Sequence, residues 1–447
     1  MRFALDLLYL LGLLLASPWL AYRFVRTAGW RRDLPARLGG VEAPQGAVWL
    51  HGSSVGEVRL IAPLVRLLEQ RNLLLIVSSH TSTGVRSAKI AYPDHFVFRL
   101  PFDLSFVQRR LMARISPRLL VIVESDLWPN HLLAAESRGV PVAVINAKLS
   151  ARSFRLHRAS RIVPRALRHV ALVAAQTGAH AGRFESLGIS RDRIAVTGNM
   201  KYDLTTGEAD QASRAELRAE LGFALEAPVI IGGSLHPRED EDLVAAFGAV
   251  VDVSPDARLV IVPRYPNQAA GVMRNVVQAG YAALARSELG RGRPNARGQV
   301  VVVDTLGELT RFYAASDIAF VGGSLYFRGS NKGGHNLMEP AILGLPVLFG
   351  PYTFSFSETV SDLLAADAGI EVRDRDELAA ALTALVESKT RRIEMGRRAQ
   401  RVVVEGQGAS ERNFELLLPL LEGVPACSVT ADTAQCRHQP QTRIVNE

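Results

Sequence analysis

Short apolar runs recur from residue 46 onward, each followed by a polar or glycine-bearing turn and then by a helical pattern. Runs this short and this apolar are buried on both faces, as parallel strands are, and parallel strands need a crossover between them. In the first half the runs fall at 47–50, 73–77, 96–100, 119–123, 140–145, 170–174 and 194–196. Residues 202–226 are charged and alanine-rich, broken by Gly207 and Gly222, and read as an interdomain connection. A second set follows at 229–231, 259–262, 300–303, 318–321 and 346–349, with helical stretches such as 240–251 and 268–279, and final helices from 377 to about 421. This is a doubly wound α/β pattern given twice. At 447 residues the chain exceeds a single ordinary core, so two domains are expected.

Composition narrows the class. A hydrophobic share of 48% with 21% charged residues is that of a globular chain. The formal net charge of +8 favours anionic partners: nucleic acid, acidic phospholipid or a phosphorylated substrate. The two cysteines, Cys427 and Cys436, lie in the polar stretch 424–447, which is expected to be disordered. They support neither a disulfide framework nor a thiolate metal site.

Residues 3–21 are nearly all apolar, with Asp6 the one charge, and Arg23, Arg26, Arg31 and Arg32 follow. The length approaches the hydrocarbon thickness of a bilayer, and the basic flank would stay in the cytoplasm. A cleaved signal peptide would carry its charge before the apolar run, where only Arg2 stands. A helix lying in the interface is the third option. The expectation is a membrane helix over 1–24, uncleaved and separate from the globule.

Residues 328–351, RGSNKGGHNLMEPAILGLPVLFGP, carry the densest chemistry. The strand expected at 318–321 runs into Gly322, Gly323 and Ser324, and glycine lets a ligand approach the backbone. Asn336 reads as an N-cap, with a helix through Glu339 to Leu343 that offers free N–H groups to a phosphate. An ordinary strand–loop–helix unit would also show glycines here. Arg328, Lys332, His335, Asn336 and Glu339 beside them favour a binding loop.

Other candidates stand at strand ends, the functional edge of such sheets. His51-Gly-Ser-Ser-Val-Gly-Glu57 places Glu57 near a helix start, where it is either a dipole-stabilised charge or a general base. Glu124-Ser-Asp126 follows the run 119–123. Asp126 suits a cap for the helix that begins near Pro129. Lys201, in Asn199-Met-Lys201-Tyr-Asp203, is either a solvated lysine or a cation for a phosphate or carboxylate. His236 ends the glycine-bearing turn 232–236. Pro263-Arg264 offers a bidentate phosphate contact, and Gly307 with Glu308 could bracket a base or ribose. For these last two an ordinary solvated loop is as good a reading. No Walker A loop, no GxGxxG with a downstream acid and no metal-ligand cluster is present.

In these stretches the chain resembles the bacterial 3-deoxy-D-manno-oct-2-ulosonic acid (Kdo) transferases of lipopolysaccharide assembly. HGSSVGEVR, ESDLWPN, INAKLSARSF, TGNMKYD, GGSLHPRED, IVPRYP, DTLGEL, FVGGSL, GGHNLMEPA and FGPYTFSF carry the likeness, in order, from His51 to Phe356. The resemblance implies a GT-B glycosyltransferase of two Rossmann-like domains facing a cleft, an acceptor domain over 33–206 and a CMP-sugar domain over 222–423. It implies CMP-Kdo as donor, a lipid A precursor (lipid IVA) as acceptor, an inverting reaction, and no cofactor, metal or nucleic acid. It places the enzyme at the inner membrane, cytoplasmic side, with anionic lipids as further partners. Glu57 matches the general base, and Glu124 and Lys201 match transition-state stabilisers. Pro263, Arg264, Leu306, Gly307, Glu308, Asn336, Leu337, Met338 and Glu339 match contacts to CMP. The chain departs from the usual pattern at the inserted residues 330–332, at Lys148, where arginine is usual, and at Asp126, where glutamate is usual. Another GT-B transferase with a UDP-sugar and a lipid acceptor is the alternative. A membrane-tethered binding protein with a degraded site is disfavoured by intact Glu57, Arg264 and Glu339.

Overall fold

The computed structural model describes residues 6, 9, 11–12, 14–15, 17–26, 35–160, 162–205, 207, 211–289, 299–329 and 333–423. The expected tail 424–447, the inserted residues 330–332 and much of 1–24 lie outside them. Among the described residues the strands form two seven-stranded parallel sheets. The first contains β1 (Val48–His51), β2 (Leu75–Ser79), β3 (Phe96–Arg99), β4 (Leu119–Val123), β5 (Val142–Ala147), β6 (Leu172–Ala175) and β7 (Ile194–Val196), in the order β3-β2-β1-β4-β5-β6-β7. The second contains β8 (Val229–Leu235), β9 (Arg258–Pro263), β10 (Ala282–Ala285), β11 (Gln299–Val302), β12 (Ile318–Val321), β13 (Val347–Phe349) and β14 (Gly369–Glu371), in the order β10-β11-β9-β8-β12-β13-β14.

Central strands are buried on both faces, as their sequences require: every residue of β1, β4 and β9 is buried. Side chains alternate between layers, so Trp49 packs into one core of the first sheet while Val48 and Leu50 pack into the other. β10 and β14 were not expected. They are short edge strands with exposed or half-exposed residues, and lack the apolar run that marks their neighbours.

Each sheet reverses its strand order at a central strand. In the first, β2 and β3 lie on one side of β1 while β4 pairs with its other side. In the second, β9 and β12 flank β8. Crevices at such switch points, outside the carboxyl ends of the strands, are where α/β sheets bind ligands. The loops after β1 and β4, and after β8 and β12, are therefore where chemistry is to be sought.

The chain divides into residues Met1–Leu204 with Gln407–Glu447, and Thr205–Gly406. The second domain thus does not run to residue 423 as expected. The last helix, Ala409–Glu422, packs on the first unit and buries Leu416, Leu417, Leu420 and Leu421 in the core that holds Val48 and Leu50. Fully burying such side chains is worth about 1.5–3 kcal/mol each, and nothing local in the sequence says which sheet receives them. Asp203 secures the return by accepting the N–H groups of Gly408 (2.7 Å) and Ser410 (2.6 Å).

At the N-terminus, helix α1 (Ser17–Arg26) is described. Among the described residues no helix is long and apolar enough to cross a membrane, so the expected membrane helix over 1–24 is not found there. Nor is this region separate from the globule. Asp6 accepts the N–H of Ser105 (2.8 Å), the first residue of helix Ser105–Ile115, and Tyr9 donates to Asp103 (3.1 Å).

Candidate active site

In the first unit β1 ends at His51, and helix α2 (Val55–Leu60) begins after a three-residue turn. Ser54 is its N-cap, and its Oγ accepts the Glu57 N–H at 3.4 Å. Glu57 reaches back: Oε2 accepts the Ser53 N–H (2.7 Å) and Oε1 the Ser54 hydroxyl (3.1 Å). This is a variant of the capping box, with the carboxylate on the N–H just before the cap, so the structural and chemical readings of Glu57 coexist. Gly52 lies against it; a Cβ there would meet the Glu57 backbone carbon at 3.1 Å. Burial pushes the Glu57 carboxyl above its ordinary value, and the nearby Glu124 carboxylate adds to the rise. The Ser53 and Ser54 bonds offset only part of it.

Glu124 follows β4 with φ 62°, in the left-handed region that costs a residue with a Cβ about 1–2 kcal/mol. Such strain persists where the surroundings hold it, and here Lys148 Nζ lies 2.6 Å from Glu124 Oε2 while the Glu124 N–H donates to the Ile145 carbonyl. Asp126 is not the cap of the next helix, Pro129–Glu136, whose N-cap is Trp128 without a side-chain bond. It accepts instead from His51 Nε2 at 2.7 Å. Burial works against charge on Asp126, yet the His51 bond and the charges of His51 and His80 hold its carboxyl below the usual range. The other His51 nitrogen, Nδ1, meets Ser78 Oγ at 2.8 Å, and Trp49 Nε1 donates to that same oxygen at 2.7 Å. His51 is fully buried, so this chain fixes its ring. Lys201 sits half-buried beyond β7. Its N–H donates to Asn199 Oδ1 (3.0 Å), and the preceding Met200 N–H donates to Asn146 Oδ1 (2.9 Å) at the end of β5. The chain after the edge strand is thereby drawn back towards the centre of the sheet. Glu57 and Glu124 are brought together; Lys201 stands in a neighbouring loop of the same edge.

In the second unit β8 passes Gly232 and Gly233, where a Cβ on Gly233 would fall 1.9 Å from the Tyr313 hydroxyl. Helix α3 (Glu239–Val253) starts next. Its first residue, Glu239, is 1% exposed and accepts backbone N–H groups from His236 (2.9 Å), Gly323 (2.7 Å), Ser324 (2.9 Å) and Leu325 (3.0 Å). That carboxylate fixes the glycine loop after β12. The sequence shows it only as one acid in an acidic first turn. Gly323 and Gly334, with φ of +71° and +72°, bring the loop past His335.

Asn336 accepts the Met338 N–H (3.1 Å) and donates to Glu339 Oε1 (3.1 Å). It caps as expected, although Leu337 is the formal N-cap. The helix itself, α4 (Met338–Ile342), is a single turn, shorter than expected, so its dipole gives a phosphate little. Leu337 and Met338 are buried; burial also raises the Glu339 carboxyl, against a lowering bond from Asn336. Pro263 ends β9. The Arg264 N–H donates to the Leu235 carbonyl (2.8 Å), and its exposed guanidinium lies 5.2 Å from the Tyr265 ring centroid. Beyond β11, Leu306 is 83% exposed and Gly307 has φ +83°. Burial would raise the Glu308 carboxyl, but bonds from Thr305 and Arg286 hold it low. Arg286 and Arg311 also reach Glu220, so Glu308 belongs to a charged network.

The family model described as 3-deoxy-D-manno-octulosonic-acid transferase matches residues 32–204. The chain is 34% identical over 410 residues to a 3-deoxy-D-manno-octulosonic acid transferase of Haemophilus influenzae, covering 89% of this chain and 93% of that protein. It is 34% identical over 421 residues to the one from Bordetella pertussis, covering 89% and 94%. In fold it is similar to a glycosyltransferase from Rickettsia africae, with a TM-score of 0.55 at 13% identity, covering 85% of this chain and 99% of that one. With its two parallel-sheet units of the GT-B type, the chain belongs to the 3-deoxy-D-manno-octulosonic acid (Kdo) transferases and is a glycosyltransferase.

Proposed function

We propose that this enzyme transfers Kdo from CMP-Kdo to a glucosamine hydroxyl of the lipid A precursor, with inversion, and that Glu57 is the general base. The observation that carries the reading is the half-buried Glu57 carboxylate, whose proton affinity is raised by burial and by Glu124. A base works best when its pKa approaches the working pH, and an ordinary surface carboxylate is too weak. Glu57 takes the hydroxyl proton as the oxygen attacks the anomeric carbon. The bond from that carbon to the phosphate oxygen breaks, and CMP departs. Arg264 meets the growing negative charge, where a fixed cation helps most. Glu339 and Asn336 face the ribose, and the 306–308 turn faces the base. The Glu124–Lys148 pair holds the charge balance around Glu57, and Lys201 adds a cation at the same edge.

The acceptor is a lipid, which sets the enzyme at the cytoplasmic face of the inner membrane. A net charge of +8 and the arginines after residue 22 favour an anionic lipid surface. The test is direct: purified enzyme, CMP-Kdo and tetra-acylated lipid A precursor, with the product weighed by mass spectrometry. A product heavier by one or more Kdo units is expected. CMP binding without any such product would remove the acceptor or the donor sugar from the reading.

A further inference from the structure

We propose that His236 and His335 act together as a proton-sharing pair that receives the phosphate of the donor nucleotide, a role that rests on the nucleotide-sugar reading above. His236 follows β8, and His335 comes from the glycine loop after β12. Their Nε2 atoms are 2.9 Å apart, with the ring planes within 18° of each other. Two neutral imidazoles at that distance place one hydrogen between them: one Nε2 donates and the other accepts. The first ring then has a bare Nδ1 and the second an Nδ1–H. Among the described residues neither Nδ1 has a partner. The pair therefore presents one donor and one acceptor outward, and can take one further proton.

Its surroundings favour an anion. Arg264 from the loop after β9 and Arg328 from the loop after β12 both act on the two rings. The Tyr265 ring meets His236 edge-on at 6.4 Å. Of the acids in the first turn of α3, Glu239 has its oxygens occupied by backbone N–H groups. Asp240 and Glu241 line the cavity next to His236, but Asp240 already accepts the Asn275 amide at 2.8 Å, and neither carboxylate is bonded to a ring of the pair among the described residues. Burial, together with those arginines, keeps both rings neutral, with pKa values down at about 4. A Cβ on Gly323 would approach His335 Nε2 to 2.9 Å, so the bare glycine is what lets the ring lie against the loop.

A phosphate reverses this balance. The donor's phosphodiester carries one negative charge. When the sugar–oxygen bond breaks, its electron pair stays on the phosphate oxygen and the charge rises by one. A proton held on the pair meets that oxygen, while Glu57 takes the acceptor's proton, so one proton is gained and one given.

The experiment follows the histidine ring protons of the full-length protein by NMR across pH, alone and with CMP, UMP or cytidine. CMP is expected to raise the titration of both histidines by about 1–3 units, the size of shift a close opposite charge produces. Cytidine, which has no phosphate, is expected to leave it unchanged. Calorimetry in buffers of different ionisation heat should show proton uptake with CMP in the wild type, and loss of that uptake in His236→Asn and His335→Asn. A shift with UMP but not CMP keeps the pair and removes the CMP donor. No movement with either nucleotide, or uptake retained in both variants, overturns the proposal.

Discussion

Two glutamates occupy the same place in the two units: each stands at the start of the helix that follows the central strand. Glu57 accepts one N–H and one hydroxyl from its own turn, remains half-exposed and is pushed towards the neutral form. Glu239 accepts four backbone N–H groups, three of them from residues 84 to 86 positions away, and is buried. One carboxylate is left able to take a proton, and the other is used up in holding a loop. Position in the fold therefore does not assign the role; the number of donors aimed at the oxygens does.

The comparison can be broken in several places. The largest effect is expected at Glu57→Gln, where transfer should fall about 10²–10⁴-fold, the usual worth of a general base, with CMP affinity unchanged. Retained turnover would remove Glu57 as base. Glu239→Ala strands several buried donors, each costing about 1–3 kcal/mol, and should lower unfolding stability in denaturant by about 3–5 kcal/mol in total. A loss within experimental error would mean that the glycine loop holds itself. Arg264→Ala should weaken CMP binding about 10- to 100-fold, as losing a charge-assisted bond worth about 1.5–3 kcal/mol would do, and calorimetry reads it directly. The smallest change is Ser54→Ala. Losing the cap should cost about 1 kcal/mol, and losing its bond to Glu57 should move that carboxyl further upward. An acid limb of the transfer rate that moved downward would contradict this.

Much of this was legible in the residues. Apolar runs mark the central strands, because burial on both faces confines polar side chains such as His51, Ser78 and Asn146 to the carboxyl ends. HGSSVGE announced Glu57, since a capping box is local and Ser54 lies three residues away. What escaped depends on distance along the chain. Glu239 looks like any acid in a helix's first turn until the loop after β12 closes on it. Asp126 passed for a cap because its true partner, His51, is 75 residues away. The helix Ala409–Glu422 returns to the first unit through contacts that no local pattern encodes. The left-handed backbone of Glu124 and the meeting of His236 with His335 are likewise products of the assembled sheet edge.

The sharpest measurement sets two pH profiles side by side: kcat/KM for transfer, and CMP affinity in the same buffers. A base must be unprotonated, and the Glu57 carboxyl is raised, so transfer should fall on acidification along a limb above the 4.5 of an ordinary glutamate. CMP affinity should hold or tighten over that same range, because its binding draws on the second unit and takes up a proton. Transfer that stays level down to the ordinary glutamate range, or that falls in step with CMP affinity, would contradict the division of labour between the two units.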